Sequence, residues 1–347
     1  MARPTHRGDS IKRFILNNIP SHPGEAASLA SKEFEITRQA VNRYLRELTD
    51  AGLIVAEGKT RKRKYKLVTL VDLKFEFELE NINEDIIWRE NIYPLVEDYP
   101  ENVVDIWHYG CTEMINNVID HSNGTCLIIF IEKDAVKMSV WVLDDGVGIF
   151  KKIMEACDLD DKRHAVLELS KGKLTTDPDN HTGEGIFFSS RMFDHYFIFS
   201  GDVSFSHDYE YDEEEDWIWE RGKPIAGTQI LMSLEHSSER DQRAIFDKFT
   251  ATGDDYGFTK TVVPVRLAKH GLEKLISRSQ AKRLMSRVDR FKTVVLDFRS
   301  VEVIGQAFAD EIFRVFARQH PDMKVQAAFA NKDIQKMIKR ARSVDAR

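Results

Sequence analysis

The chain has 347 residues, 42% of them hydrophobic, and a formal net charge of −7. This size and composition predict a globular protein of two or three domains, and the absence of an 18-residue apolar run argues against a membrane span. Its three cysteines (Cys111, Cys126 and Cys157) show neither a paired framework nor metal-ligand spacing. The N-terminus has no apolar signal-peptide region, so we expect a cytoplasmic protein.

The charge is unevenly divided along the chain. Residues 1–67 hold 14 Lys and Arg against seven Asp and Glu, so this part carries +7 and the remainder −14. A basic segment on an otherwise acidic chain predicts that only that segment binds a polyanion.

Three helices and a hairpin are predicted for residues 1–70, here called the head. The helical patterns are GDSIKRFILNNI, PGEAASLASKEF and ITRQAVNRYLRELTDAGL, and two short strands around a basic turn follow in IVAEGKTRKRKYKL. This order resembles a winged helix-turn-helix domain, in which the third helix enters the major groove and the wing lies beside a phosphate strand.

That resemblance implies DNA binding through the third helix and the wing of the head. Amide and guanidinium groups on the helix would bind base edges, and cations of the wing would contact phosphates. The implied DNA-binding residues are Arg38, Gln39, Asn42, Arg43, Arg46, Lys59, Arg61, Lys62, Arg63 and Lys64. The alternative is a winged helix that binds protein, with a solvated basic wing.

Residues 71–236 form the second predicted domain. Strands are predicted at KFEFELE, CLIIFIEKD, KMSVWVLDDGVG and AGTQILMSL. The helix YGCTEMINNVIDHS carries Glu113, Asn117 and His121 on one face, because four residues advance a helix by slightly more than one turn. Taken alone, this stretch also fits an amphipathic helix with a solvated polar face.

Three glycine-containing or polar motifs follow that helix, at VLDDGVGI, HTGEGI and AGT. Their candidate site residues are Asp144, Gly146, Gly148, Gly183, Gly185 and Thr228. In this order and spacing, the helix and the motifs resemble the Bergerat ATP-binding fold of gyrase, histidine kinases, mismatch-repair ATPases and anti-sigma-factor serine kinases. The Glu-x-x-x-Asn-x-x-x-His helix is closest to the anti-sigma kinase version.

The resemblance implies ATP and Mg²⁺ as ligands. Glu113 would act as general base, and the amide oxygen of Asn117 would hold the cation together with phosphate oxygens. Asp144 would accept the adenine amino group, and Thr228 would place a hydroxyl near the base. The glycines would let the backbone approach the base and the phosphates. A degenerate fold that no longer binds nucleotide is the alternative.

Several features of this region leave two interpretations open. His121 either contacts the phosphate side or packs on its helix, and Lys151 and Lys152 either reach a phosphate or begin a solvated helix. Residues 151–181 are predicted to form a mobile lid. The acidic run YDEEEDWIWE is predicted as a solvated hairpin tip, the alternative being a mimic of nucleic-acid charge.

Residues 256–347, here called the tail, alternate strand and helix patterns, which predicts a small sheet covered by helices. The boundary is placed near HSSERDQRA. Strands are predicted at VVPVRLA, KTVVLDF and KVQAAFA, and helices at GLEKLISRSQAKRLMSRV, QAFADEIFRVFARQ and KDIQKMIKRAR. The segment VVLDFRSVEVIGQAFADEIFRVF resembles a STAS-like domain, the class that includes anti-sigma-factor antagonists.

In such antagonists a serine at the loop-to-helix junction receives phosphate from the partner kinase. Here the junction carries Gly305 and Gln306, and Ser300 lies too early. We therefore expect the tail to be a regulatory or docking surface for a protein partner; a purely structural cap is the alternative.

The predicted fold is an α/β multidomain protein: winged helix, Bergerat α/β sandwich ATPase and small STAS-like domain. We expect an ATP-binding, slowly hydrolysing DNA-binding regulator, in which nucleotide state controls the head and the tail. The alternative is a serine/threonine protein kinase of partner-switching type. The DNA-binding head and the missing acceptor serine favour the regulator. Many relatives of this ATP fold pair up, so a homodimer is one expected assembly.

Overall fold

The computed structural model describes residues 6–58, 63–174, 182–210, 213–250, 257–269 and 273–343. These residues form a mixed α/β structure whose strands are arranged in three sheets. The chain divides into two compact units. The first contains residues 1–75, 129–141 and 233–238, and the second contains residues 76–128, 142–232 and 239–347. Within the described ranges, no helix combines the length and apolar character needed to cross a membrane.

The first unit begins with three helices and a hairpin. They are α1 (His6–Asn18), α2 (Ala26–Glu33), α3 (Arg38–Asp50), β1 (Ile54–Glu57) and β2 (Lys64–Leu67). Helix α3 begins after Thr37, whose hydroxyl accepts a hydrogen bond from the Ala40 amide at 3.2 Å. Val41, Leu45 and Leu48 lie on its buried face, as the spacing of apolar residues predicts. The elements therefore follow the predicted order, with ends that differ by a few residues.

A five-stranded sheet contributes residues to both units. Its strands are β3 (Val71–Glu78), β4 (Cys126–Lys133), β5 (Lys137–Asp144), β6 (His195–Glu210) and β7 (Glu213–Glu235). Their order in the sheet is β3-β4-β5-β7-β6. Alternate residues of β4 and β5 are buried, which is the pattern of strands that cover a core with one face.

Within the first unit, the head packs against the turn that joins β4 to β5. Ala135 and Val136 of this turn contact the buried cluster of the three helices. The amide of Leu70 donates to the carbonyl of Lys133 at 2.7 Å, and the Asn17 side chain donates to Glu235 at 3.4 Å. The core of the head therefore includes contacts with the turn between β4 and β5, which the sequence did not indicate.

The part of the second unit that precedes the tail contains further helices. They are α4 (Glu84–Ile87), α5 (Glu101–His121), α6 (Ile149–Ala156), α7 (Lys162–Lys171), α8 (Gly185–Met192) and α9 (Gln242–Lys248). A π-helical turn at Trp88–Ile92 continues α4. Every residue of α7 from Ala165 to Lys171 is buried. The segment predicted as a polar lid therefore contains a buried helix, and its residues 175–181 lie outside the described part of the chain.

The tail forms a three-stranded parallel sheet with helices. Its strands are β8 (Lys260–Pro264), β9 (Thr293–Asp297) and β10 (Lys324–Ala328). Its helices are α10 (Arg278–Leu284), α11 (Gln306–Asp310), α12 (Ala317–Gln319) and α13 (Lys332–Ser343). A π-helical segment at Glu311–Phe316 joins α11 to α12. Strand β9 is central, in the order β10-β9-β8.

Helix α10 is shorter than the sequence predicts. The helical pattern begins at residue 271, but α10 begins only after Ser277, whose hydroxyl accepts from the Gln280 amide at 3.1 Å. The Gln280 side chain in turn accepts from the Ser277 amide, which completes a capping box. Leu275 lies outside the helix and forms a parallel bridge with Ile304.

Candidate functional site

A cavity of about 300 Å³ in the second unit brings together most of the site residues predicted from the sequence. It is lined by residues of α5, α6 and α8, by the end of β5 and by part of β7. Eight of the nine candidates line it: Glu113, Asn117, His121, Asp144, Gly148, Gly183, Gly185 and Thr228. The set spans more than a hundred positions of the chain, from Glu113 to Thr228, so only the fold brings its members together.

Helix α5 places three polar side chains along one wall of the cavity. Glu113, Asn117 and His121 are half-buried there, while Trp107 and Ile115 are fully buried in the core. The side-chain nitrogen of Asn117 lies 4.0 Å from Sδ of Met114.

Asp144 is held in a fixed orientation at the end of β5. Its Oδ1 accepts from the amides of Gly146 at 2.8 Å and Thr228 at 3.2 Å. Burial raises the pKa of its carboxyl above the ordinary value, and these two hydrogen bonds oppose that shift. The hydroxyl of Thr228 accepts from the Ile149 amide at 3.0 Å. Asp144 and Thr228 therefore form one hydrogen-bonded group on the cavity wall.

Gly146 is the one predicted site glycine that does not line the cavity. A Cβ at this position would overlap the carbonyl oxygen of Ser122. The residue therefore lets the loop after β5 pack directly on the end of α5, so the structure gives it a packing role.

Gly185 permits a close approach between α8 and α5. A Cβ at Gly185 would overlap the carboxylate of Glu113, so a larger residue at the start of α8 would displace that side chain. From the sequence, the glycines of HTGEGI are expected to let the backbone approach the phosphates; the group that lies against Gly185 in the structure is the Glu113 carboxylate.

Two charged residues of the cavity were not among the predicted ligands. Glu184 lies between the two glycines of HTGEGI and lines the cavity, and burial raises the pKa of its carboxyl. Lys152 of α6 also lines it, and its ammonium donates to the carbonyl of His121 at 2.7 Å. Burial lowers the pKa of this ammonium. Lys151, by contrast, is exposed and lies 3.9 Å from Glu155.

Tyr109 lies on the same face of α5 as Glu113, one turn earlier in the helix. Burial is the main cause that raises the pKa of its phenol, and the carboxylates of Glu113 and Glu184 add to the shift. Both carboxylates therefore lie close enough to the Tyr109 phenol to raise its pKa. In the sequence, only the helical spacing pointed to Glu113, and only the glycine motif around it could have pointed to Glu184.

The predicted DNA-binding residues of α3 are all exposed in the first unit. They are Arg38, Gln39, Asn42, Arg43 and Arg46. Arg63 and Lys64 of the wing are also exposed, whereas Lys59, Arg61 and Lys62 lie outside the described residues. Nε of Arg43 lies 3.6 Å from Glu47, a weak surface pair. The outer face of α3 is therefore cationic and accessible within its unit.

The junction before α11 carries no hydroxyl group from Ile304 to Phe308. Gly305 precedes the helix, and the side-chain amide of Gln306 donates to Asp310 at 2.6 Å. The junction thus carries a hydrogen-bonded amide and no hydroxyl group.

Comparison with known families identifies one region of the chain. Residues 280–339 match the model of a STAS-like domain of unknown function (DUF4325). The tail therefore contains a STAS-like domain, which confirms that part of the sequence prediction over a narrower range than 256–347. No curated protein matches the chain.

Proposed function

We propose that this protein is an ATP-binding, slowly hydrolysing regulator that binds DNA through its head. The observation that carries the proposal is the convergence on one cavity of eight residues chosen from four separate motifs. A cavity of about 300 Å³ lies within the usual range for small-ligand sites. The resemblance to a Bergerat-type ATPase explains why a helix, two glycine motifs and a threonine should meet there.

The chemistry of the cavity suits a purine triphosphate with a divalent cation. Asp144, with one oxygen held by two backbone amides, offers an acceptor to an exocyclic amino group. Glu113 and Glu184 would repel phosphates unless a cation lay between the carboxylates and the phosphates. Lys152 of α6 supplies positive charge to the same cavity. Among the described residues, no cluster of three His, Cys, Asp or Glu side chains could hold a metal ion. In this proposal the cation is bound by phosphate oxygens together with the amide oxygen of Asn117, which is how Mg²⁺ commonly binds.

In this proposal, ATP supplies the phosphoanhydride bond, and the residues of the chain orient it. Glu113 would accept the proton of an attacking water, held in place by the close approach of α8 at Gly185. Lys152 would stabilise negative charge within the cavity. ATP would control the head only if it bound two arrangements of the protein with different affinities.

Calorimetric titration with Mg²⁺-ATP tests the nucleotide claim. Asp144→Asn keeps the Oδ1 acceptor for the two amides but replaces the second oxygen with an NH2 group. This group donates hydrogen bonds, so it would oppose an adenine amino group. We expect affinity to fall about 10- to 100-fold, the effect of losing one hydrogen bond to a charged group. Asp98→Asn, on an exposed side chain, is the matched control. No binding heat in the parent protein, or equal affinity in Asp144→Asn, would contradict the proposal.

Incubation with γ-labelled ATP distinguishes hydrolysis from protein phosphorylation. Free labelled phosphate alone supports the regulator, whereas label on a partner protein supports the kinase. Glu113→Gln should lower either activity by a factor of about 10² or more. Glu101→Gln makes the same change at an exposed position of the same helix and should leave the rate unchanged.

A further inference from the structure

The outer edge of the tail sheet is formed by β10, the last strand in the order β10-β9-β8. The amide of Lys324 donates to the carbonyl of Lys292 at 2.9 Å, and the carbonyl of Ala328 accepts from the Phe298 amide at 3.0 Å. In a parallel pair, alternate residues direct both backbone groups to the same neighbour. The backbone groups of Val325 and Ala327 therefore point away from β9.

A groove of about 1000 Å³ lies along this edge, between β10 and α13. Val325 and Ala327 line it on the strand side, and Ile338, which is 7% exposed, lines it from the helix. The guanidinium of Arg342 donates to the carbonyl of Val325 at 3.3 Å. In the described part of the tail, no further strand pairs with β10 on this side.

The groove is cationic. Lys324, Lys339 and Arg342 line it, and none of the described residues that line it is acidic. Helix α13 carries five basic residues and one acidic residue, Asp333. Both the strand and the helix therefore contribute positive charge to the groove, so its preferred occupant is negatively charged.

We propose that this groove binds an extended acidic segment of a partner protein, which adds to β10 as a further strand. The backbone of the guest would pair with both groups of Ala327 and with the N–H group of Val325, whose carbonyl accepts from Arg342. Its acidic side chains would face Lys339 and Arg342. The five residues of β10 span about 17 Å, so the groove would take a segment of about five or six residues.

A second copy of the chain is a poorer occupant of the same edge. If two β10 strands paired with each other, each would bring its own Lys324, Lys339 and Arg342 to one interface. Like charges placed across paired strands are destabilising. The proposed partner is independent of the ATP and DNA claims, because none of the groove residues belongs to either site.

Fluorescence anisotropy with the full-length protein tests the strand pairing. The probe is a labelled eight-residue peptide of alternating Glu and Val, and a peptide of alternating Lys and Val is the control. Ala327→Pro removes an outward-pointing N–H group without removing a bond to β9, a change that edge strands tolerate. We expect it to weaken binding of the acidic peptide about tenfold or more. Ala327→Val keeps the N–H group and should stay within about twofold of the parent.

Charge reversal tests the electrostatic half of the proposal. The double variant Lys339→Glu/Arg342→Glu should weaken binding of the acidic peptide about tenfold or more, and added salt should weaken it in the parent. Lys332→Glu makes the same kind of change on an exposed residue of α13 outside the groove and should have little effect. Circular dichroism would verify that each variant is folded.

Three outcomes would overturn the proposal. These are no binding of the acidic peptide, equal binding of the acidic and basic peptides, and unchanged binding in Ala327→Pro. Sedimentation would detect the competing occupant: if Ala327→Pro converts a dimer to a monomer, the edge is filled by a second copy.

Discussion

Two adjacent aspartates at the end of β5 have different surroundings. Asp144 is half-buried on the cavity wall, and burial raises the pKa of its carboxyl. Asp145 is exposed, and its carboxylate accepts from the Thr125 hydroxyl at 2.6 Å, the Thr125 amide at 2.7 Å and the Cys126 amide at 3.0 Å. These bonds lower the pKa of Asp145 to about 2. Asp144 thus lines the cavity, whereas Asp145 connects the loop after β5 to the start of β4 by hydrogen bonds.

The lowered pKa of Asp145 predicts a pH-dependent contribution to stability. Its folded pKa of about 2 lies below the ordinary aspartate value of about 3.9. The ionised carboxylate therefore stabilises the fold above about pH 4, and this contribution is lost as the pH falls toward 2. We expect Asp145→Asn to lower the free energy of unfolding by a constant amount between pH 5 and about 7, and by less at about pH 3.

Urea denaturation at several pH values measures this difference. Thr125→Val removes one of the three donors to Asp145 and should show the same trend with a smaller amplitude. A destabilisation by Asp145→Asn that is the same at pH 3 and pH 7 would contradict the assignment.

Helix α7 is joined to the tail by a buried lysine. The ammonium of Lys171 donates to Glu168 at 2.7 Å and to the carbonyls of Ser286 at 2.8 Å and Arg283 at 3.2 Å. The carbonyl of Lys171 accepts from the Thr261 hydroxyl at 2.6 Å. Burial lowers the pKa of the ammonium, and the neighbouring Glu168 opposes the shift. An element expected in a polar lid is therefore held by strand β8, by Arg283 of α10 and by Ser286, which follows that helix.

Substitution of Lys171 tests how strongly this connection holds α7. Lys171→Met would leave the buried carboxylate of Glu168 without its ammonium partner, which costs about 3–5 kcal/mol of stability. The double variant Lys171→Met/Glu168→Leu removes both charges, so it should recover a large part of that loss. Lys151→Met, at an exposed lysine of α6, should change the free energy of unfolding by less than about 0.5 kcal/mol. All three are compared by chemical denaturation; a double variant less stable than Lys171→Met would argue against an ion-pair role.

At the scale of the whole molecule, the part of the chain that we propose binds DNA carries a net positive charge. Residues 1–67 carry +7 in a protein of net charge −7, and the outer face of α3 is exposed. Binding through phosphate contacts releases counterions, so affinity should fall linearly with salt on logarithmic axes. The slope counts the phosphates that are neutralised.

A titration of duplex DNA at several salt concentrations makes this quantitative. Arg63→Ala/Lys64→Ala should weaken binding about equally for all sequences and reduce the magnitude of the slope by about 1 to 2. Asn42→Ala should instead reduce discrimination between sequences, because a side-chain amide can bind adenine specifically. Lys332→Ala, an exposed lysine of the tail, is the control. Binding that does not depend on salt would contradict the DNA proposal.

The sequence by itself determined features that depend on local periodicity. The row of Glu113, Asn117 and His121 follows from the pitch of a helix, and the buried alternation of β4 and β5 follows from the pleat of a strand. The three helices of the head carry their own apolar faces, and α3 also carries its own N-cap residue, Thr37. Such patterns are properties of neighbouring residues, so no tertiary information is needed to detect them.

The tertiary structure alone decided which of several similar residues enters the cavity. It placed Lys152 there and left Lys151 exposed, and it directed the carboxylate of Asp145 to Thr125 and Cys126. It also buried α7 and assigned Gly146 to packing against Ser122. In each case the outcome depends on contacts with distant parts of the chain, because burial and hydrogen-bond partners are set by what packs against a residue rather than by its neighbours in sequence.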